Sequence, residues 1–348
     1  MNDVPINPSP TPSLPPSGRF RELIAAAFTP MRTDGSLHLE LIEPLVAHLV
    51  KQGVTGLYVC GSTGEGPLLS TDERKRVAEA YVEAAQRAAY KLRRQAAQED
   101  TLEVAKRAAQ APTQSEAQRK MRVIVHVGHE SLTEAAALAR HAESIGADAI
   151  ASLPPSYFKC DSVDTLIDWL GKLASAAPSL PLYYYHIPTM SGYGLSMTEL
   201  LEKAPEKLPA LAGIKFSSTD LVEFHACVER AGGRYDLYFG VDEMLLSAVV
   251  VGATGAVGST YNFAAPLYLE MINAYKAGEL ERARRLQAHA VRMVEVFGRY
   301  RGLPAIKATM KLVGIDCGPN RLPLRTLSAD EFERMRSELA PWFPLSGM

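Results

Sequence analysis

Cysteine is scarce. The four residues, Cys60, Cys160, Cys227 and Cys317, are far apart and form no C-x-x-C. That spacing excludes a zinc pattern and a disulfide framework, and it suits a reducing cytoplasm. No run of 18 or more apolar residues occurs, so no segment reads as a membrane span. Charge of one sign is missing too, with 37 Lys and Arg against 39 Asp and Glu. Without a basic stripe there is no nucleic-acid footprint, and without an acidic tail there is no solvating extension. No G-x-G-x-x-G follows a strand pattern, which argues against a dinucleotide-binding sheet. The N-terminus lacks the apolar core of a secretory signal and the arginine-rich amphipathic pattern of a transit peptide.

What is present begins with proline. Residues 1–18, MNDVPINPSPTPSLPPSG, hold six prolines and no apolar period, and read as a disordered or polyproline-like tail. From about residue 19 to Asn262 short apolar strands alternate with amphipathic helices. The strands are expected at Leu23–Phe28, Thr55–Cys60, Val123–Val127, Ala147–Leu153, Leu182–Tyr185, Leu211–Lys215, Tyr235–Phe239 and Gly255–Gly258. Eight strand–helix alternations predict an α/β fold, a (β/α)8 TIM barrel, over an open doubly wound sheet. The second helix is expected over Thr71 to about Gln86; Thr71-x-x-Arg74 lacks a full capping box, while Asp72 and Glu73 suit a helix start. Residues 263–348 read as a C-terminal helical appendage packed on the barrel.

One stretch interrupts the rhythm. Residues 88–120 are rich in alanine and charge, where connections of about 2–6 residues are usual. They are read as a solvated insertion that lengthens the second helix until Pro112 stops it, with a partner-binding arm as the alternative.

In a parallel barrel the chemistry gathers at the C-terminal ends of the strands. The segment Leu211–Thr219, LAGIKFSST, is an apolar run that delivers one amine, Lys215, to that rim. A lysine whose stem lies along the core while its head reaches water is the plain reading. Burial, however, disfavours the ammonium, and a neutral amine attacks a carbonyl to form a Schiff base. After the second strand, Gly61-Ser62-Thr63-Gly64-Glu65 offers hydroxyls and free N–H groups suited to a carboxylate or phosphate, although such a string is also ordinary turn chemistry. Tyr185 ends the fifth strand, where it either packs or moves a proton. Asp242 and Glu243 follow Gly240, as helix-dipole partners or as a clamp on sugar hydroxyls. Taken together the set suits cleavage of a 2-keto acid. The lysine iminium would serve as the electron sink, with no metal and no cofactor.

The motifs G-S-T-G-E at 61–65, Y-H-I-P at 185–188, G-I-K at 213–215, G-V-D-E at 240–243 and G-A-V-G-S-T-Y-N at 255–262 stand in order at strand ends. In these the chain resembles the N-acetylneuraminate lyase and dihydrodipicolinate synthase family of pyruvate-dependent class I aldolases, over about Arg21 to Leu339 apart from the 88–120 interruption. The resemblance implies Lys215 as the Schiff-base lysine and Tyr185 as the proton-transfer residue. It implies Ser62 and Thr63 as binders of the pyruvyl carboxylate, with Ser62 relaying to Tyr185. Tyr157 would enter the site of a neighbouring subunit, and the family's usual assembly implies a homotetramer.

Within the family the lyase branch matches best. Met190 stands in the loop where the synthase branch carries an arginine, and Asp242 and Glu243 match the pair that holds the glycerol chain of sialic acid. Ser217, Gly240 and Ser259 match further sugar contacts, and F-G-V-D-E and R-L-P-L resemble the animal-type lyases. Pro154-Pro155-Ser156 departs from the more usual Thr-Pro-aromatic. The resemblance thus implies reversible cleavage of N-acetylneuraminate to N-acetylmannosamine and pyruvate. The residues leave open another acceptor, such as a 2-keto-3-deoxy sugar acid, and a barrel that binds a sugar acid without turnover.

Overall fold

The computed structural model describes residues 20–103 and 121–343. The proline-rich tail at 1–18 and the proposed helix stop at Pro112 lie outside the described residues.

Eight parallel strands close into a barrel in sequence order, with β1 (Glu22–Ala26) paired to both β2 (Gly56–Val59) and β8 (Gly255–Gly258). Between them run β3 (Arg122–His126), β4 (Ala149–Ser152), β5 (Leu182–His186), β6 (Leu211–Phe216) and β7 (Asp236–Phe239). Both faces of each strand are buried, which explains why the strands read as unbroken apolar runs. Alternate side chains divide between two cores. Ile24, Tyr58, Ile124, Tyr183, Tyr185 and Tyr238 point into the barrel, whereas Leu23, Leu57, Val123 and Leu237 pack outward beneath the helices.

The helices of the outer layer are α1 (Ile42–Lys51), α2 (Thr71–Glu103), α3 (Leu132–Ser144), α4 (Val163–Ala176), α5 (Pro188–Ser191), α6 (Met197–Lys207), α7 (Leu221–Ala231), α8 (Leu245–Val250) and α9 (Tyr261–Lys276). Helix α2 starts one residue earlier in its capping than the sequence suggests. Ser70 and Glu73 exchange side-chain-to-backbone hydrogen bonds, so the reciprocal cap is Ser70-x-x-Glu73 and not one built on Thr71. The helix runs on to Glu103, well beyond Gln86, because its alanines and long charged residues have high helix propensity and nothing breaks them. Lys91 and Arg87 on this extension both reach Glu43 of α1. The short α5, just beyond Tyr185 in the chain, is not legible in the sequence pattern; it begins at Pro188 and closes at Gly192 with φ 68°.

Helices α10 (Leu280–Arg299), α11 (Leu303–Thr309) and α12 (Ala329–Leu339) follow the barrel. They pack through Ala290, Met293, Val296, Phe297, Met335 and Leu339, all buried in one core with the barrel's outer layer. The appendage therefore extends the barrel wall and does not form a separate body.

Candidate active site

The strand register decides the centre of the site. Tyr185 and Lys215 are direct partners across β5 and β6, so both project into the barrel at one level. Lys215 is 4% exposed. Its Nζ lies 3.9 Å from the centroid of the Tyr185 ring and 4.1 Å from that of Tyr58. Among the described residues no carboxylate forms an ion pair with it. Burial pushes the amine below the ordinary lysine range, with Tyr185 and Asp242 acting in the opposite direction. A buried lysine whose ammonium is disfavoured is closer to the neutral amine that attack on a carbonyl needs.

A cavity of about 260 Å3 opens above it. Ser62, Thr63, Tyr185, Lys215, Ser217, Gly240, Asp242, Glu243 and Ser259 all line it. The structure thus gathers these nine sequence-proposed residues around one space. Tyr157 is apart from them: it is 82% exposed on the loop after β4, its ring edge-on to exposed Phe158 at 5.0 Å. The loop itself is fixed, since Glu130 accepts hydrogen bonds from the backbone N–H groups of Ser156 and Tyr157, and Tyr193 donates to the Pro155 carbonyl. Ser156, the departure from the family pattern, adds its hydroxyl to Glu130 at 2.5 Å.

Two glycines make room beside Ser217 and Asp242 on the cavity wall. A Cβ at Gly240 would overlap Ser217 Oγ, and one at Gly258 would overlap the Asp242 carboxylate. Asp242 Oδ2 accepts from the Thr260 backbone N–H at 3.0 Å and from the Thr260 hydroxyl at 2.5 Å. Its Oδ1 is buried and makes no hydrogen bond among the described residues, although the Tyr261 hydroxyl acts to lower the carboxyl. Burial raises the Asp242 carboxyl above its usual range, and the same cause raises Glu243. An oriented carboxylate with one free oxygen beside a second carboxylate is ready to accept hydrogen bonds from vicinal hydroxyls.

Three features escaped the motif reading. Glu65, grouped by sequence with the anion cradle, instead turns away into a buried ion pair with Lys307 of α11 at 2.6 Å. It also accepts from Asn320 and from the backbone N–H of Arg321. It is the tie between the Ser62–Thr63 loop and the C-terminal region, and its own φ of 54° forms the turn. Val294 of α10 and Ile306 of α11 bring two apolar side chains to the cavity wall; only the packing of the appendage could have indicated them. Tyr58, in the middle of β2, reads as ordinary strand packing. Among the described residues no cluster of three His, Cys, Asp or Glu could hold a metal ion, and no helix is long and apolar enough to cross a membrane.

Comparison with known proteins matches residues 19–111 and 95–341 to the dihydrodipicolinate synthetase family. The chain belongs to that family. Its relatives include the N-acetylneuraminate lyases of Mus musculus, 38% identical over 93% of both chains, and of Rattus norvegicus, 40% identical over 89% of this chain and 88% of that one. In three dimensions it resembles the Proteus mirabilis N-acetylneuraminate lyase, with a TM-score of 0.81 and 36% identity, over 93% of this chain and 99% of that one. A family that spans the barrel and the C-terminal helices together agrees with the shared core seen here.

Proposed function

We propose that this chain is a Schiff-base aldolase that reversibly cleaves N-acetylneuraminate to N-acetylmannosamine and pyruvate. The observation that carries the reading is Lys215, a buried amine with no carboxylate partner among the described residues, set against Tyr185 in a cavity that Asp242 and Glu243 also line. The lyases of mouse, rat and Proteus mirabilis support the choice of substrate.

In this mechanism the substrate carboxylate sits at Ser62 and Thr63. Lys215 Nζ attacks the keto carbon; the carbonyl oxygen leaves as water and a protonated iminium remains. Tyr185 takes the proton from the hydroxyl on the departing carbon while its own passes to the Ser62 relay. The C–C bond breaks, its electron pair moves into the iminium to give an enamine, and the aldehyde sugar leaves. The enamine carbon takes a proton, and water hydrolyses the iminium to release pyruvate and the amine. No step calls for a metal or an added cofactor. Asp242 and Glu243 hold the hydroxyls of the acceptor, with Ser217, Gly240 and Ser259 beside them. Exposed Tyr157 completes the site of a neighbouring subunit in a homotetramer, which we place in the cytoplasm on the free, unpaired cysteines.

The test is borohydride reduction with pyruvate followed by peptide mass spectrometry, run beside a sialic acid cleavage assay. The expected result is one pyruvate-derived adduct, on Lys215, and release of N-acetylmannosamine. An adduct elsewhere rejects the lysine; an adduct on Lys215 without sialic acid cleavage moves the substrate to another 2-keto sugar acid.

A further inference from the structure

Two ring faces meet at the Lys215 amine, and only one belongs to the proposed chemistry. The other is Tyr58. Its ring stands edge to face with Tyr185, 5.6 Å between centroids at 69°, so the two rings form an aromatic corner with Nζ inside it. The Tyr58 hydroxyl is buried and has no hydrogen-bond partner among the described residues. The ring is held in place on purpose, in the sense that its surroundings are cut to fit it. A Cβ at Gly61 would come within 2.6 Å of Tyr58 Cε1. Behind the ring His126 packs at 6.1 Å, and it too is fixed: its Nε2 accepts from the Leu153 backbone N–H at 3.3 Å, and buried Arg74 clamps the His126 carbonyl at 2.6 Å.

We infer that Tyr58 is a positioning residue for the Schiff-base lysine, its ring face holding the nitrogen and stabilising it whenever it is cationic. The inference rests on the aldolase reading above. The nitrogen is cationic whenever it is protonated and again as an iminium during reaction, at nearly the same point in space. A carboxylate placed there would bind the ammonium tightly and deny the amine to substrate. A ring face attracts either cation through its quadrupole without offering a proton acceptor. The ionisable groups around Nζ are Tyr185 from β5, Asp242 from the turn after β7, His126 from β3 and Tyr58 itself from β2, with Arg74 of α2 behind the histidine. His126 is neutral, burial holding it well below the ordinary histidine range and Arg74 and Lys215 reinforcing this, so it adds no competing charge.

The test is Tyr58→Phe followed by mono-, di- and trifluorinated phenylalanine at position 58 in the full chain. Fluorine drains the ring face while scarcely changing its size, so packing and folding are preserved. Pyruvate trapping by borohydride is followed against pH. Tyr58→Phe is the reference point of the series, because it keeps the ring face and loses only a hydroxyl that makes no hydrogen bond among the described residues. Along the fluorine series the trapping rate should fall stepwise, about tenfold in all, and the pH at half-maximal trapping should move downward. A series flat in both readouts overturns the inference, and so does a Tyr58→Phe variant that is itself inactive, since the hydroxyl would then carry the role. If the wild type traps no pyruvate on Lys215, it is the aldolase reading that fails, and that failure is visible before any variant is made.

Discussion

At the lower end of the barrel, where the strands begin, the Arg122 guanidinium donates to Glu22 at 3.2 Å, to the Tyr238 hydroxyl at 2.8 Å and to the Tyr183 hydroxyl at 2.7 Å. Those tyrosines in turn donate to Asp236 and Glu22, and their rings stack at 5.3 Å. At the mouth, Lys215 of β6 has ring faces for neighbours and Asp242, beyond β7, keeps an oxygen without a hydrogen bond among the described residues. Both ends place charge inside a barrel. The floor satisfies every charge it buries, as a buried polar network must to be tolerated. Among the described residues, the mouth leaves one amine without an ion-pair partner and one carboxylate oxygen without a hydrogen bond. Partners that the protein withholds are partners that a substrate can supply, so the contrast separates the structural end of the barrel from the chemical one.

Exchanging each cation for methionine should give opposite results, and these are the largest effects expected. Lys215→Met removes the nucleophile, and cleavage should drop on the order of 10^4-fold or more. Stability should hold or rise by about 1–2 kcal/mol, since a desolvated amine without an ion-pair partner is replaced by an apolar chain. The folded lysine gives up its proton more readily than the unfolded one. It therefore costs stability below the unfolded value of 10.5 and ceases to do so as pH rises to it. The gap between Lys215→Met and wild type should narrow as pH climbs. Arg122→Met removes the cation facing Glu22 and Asp236 and the donor to both tyrosine hydroxyls, and should cost about 3–5 kcal/mol while the folded fraction still traps pyruvate. Urea unfolding and borohydride trapping on both variants check the pair. Loss of trapping in folded Arg122→Met would erase the distinction between the two ends.

The mouth can be divided further. Asp242→Asn keeps a side chain of the same shape but removes the charge and one acceptor. Cleavage of the sugar acid should fall about 10^2-fold in kcat/KM, as a lost charged hydrogen bond to a bound substrate implies. Trapping of pyruvate, which has no hydroxyl chain to hold, should change less than about threefold. Equal losses in both assays would mean that Asp242 serves the lysine and not the acceptor.

How much of this was legible in the sequence follows from the same contrast. Lys215 could be found because a charge at the end of an apolar run is conspicuous, and the eightfold alternation that sets the barrel is a repeat that short-range pattern captures. The strand bounds mostly moved by one or two residues, as strand ends usually do. Arg122 was invisible because a charge at the start of a strand resembles any solvated edge, and its partners lie in β1, β5 and β7. Glu65 was placed in the anion cradle because its neighbours in sequence belong there; its real partner, Lys307, stands 242 positions away. The steric duties of Gly240 and Gly258 depend on which side chain another strand brings against them, which no local pattern encodes. Tyr58 hid for the opposite reason: nothing distinguishes a ring under a reactive amine from a ring in a core until β6 lies opposite.

The smallest expected effect concerns charges near the mouth that follow the rule of the floor. Arg321 grips Glu73 with two hydrogen bonds, at 2.5 and 2.7 Å, and also reaches the carbonyls of Gly35 and Leu68. It thereby ties the first turn of α2 to the C-terminal region on the side of the site loop. The Arg321 hydrogen bonds lower the Glu73 carboxyl to about 2. Because the folded value is depressed, this stabilisation is present above the unfolded value of 4.5 and is lost as pH falls toward about 2. Glu73→Gln keeps the reciprocal cap with Ser70, which glutamine also makes, and removes only the charge. Stability at neutral pH should fall by about 1 kcal/mol, a modest figure because water screens a partly exposed pair. Below pH 4.5 the difference from wild type should close. Cleavage per folded molecule should not change. If the variant loses activity before it loses stability, the tie acts on the Ser62–Thr63 loop itself, and the boundary between supporting charge and reacting charge lies farther from the cavity, outside the Arg321–Glu73 pair.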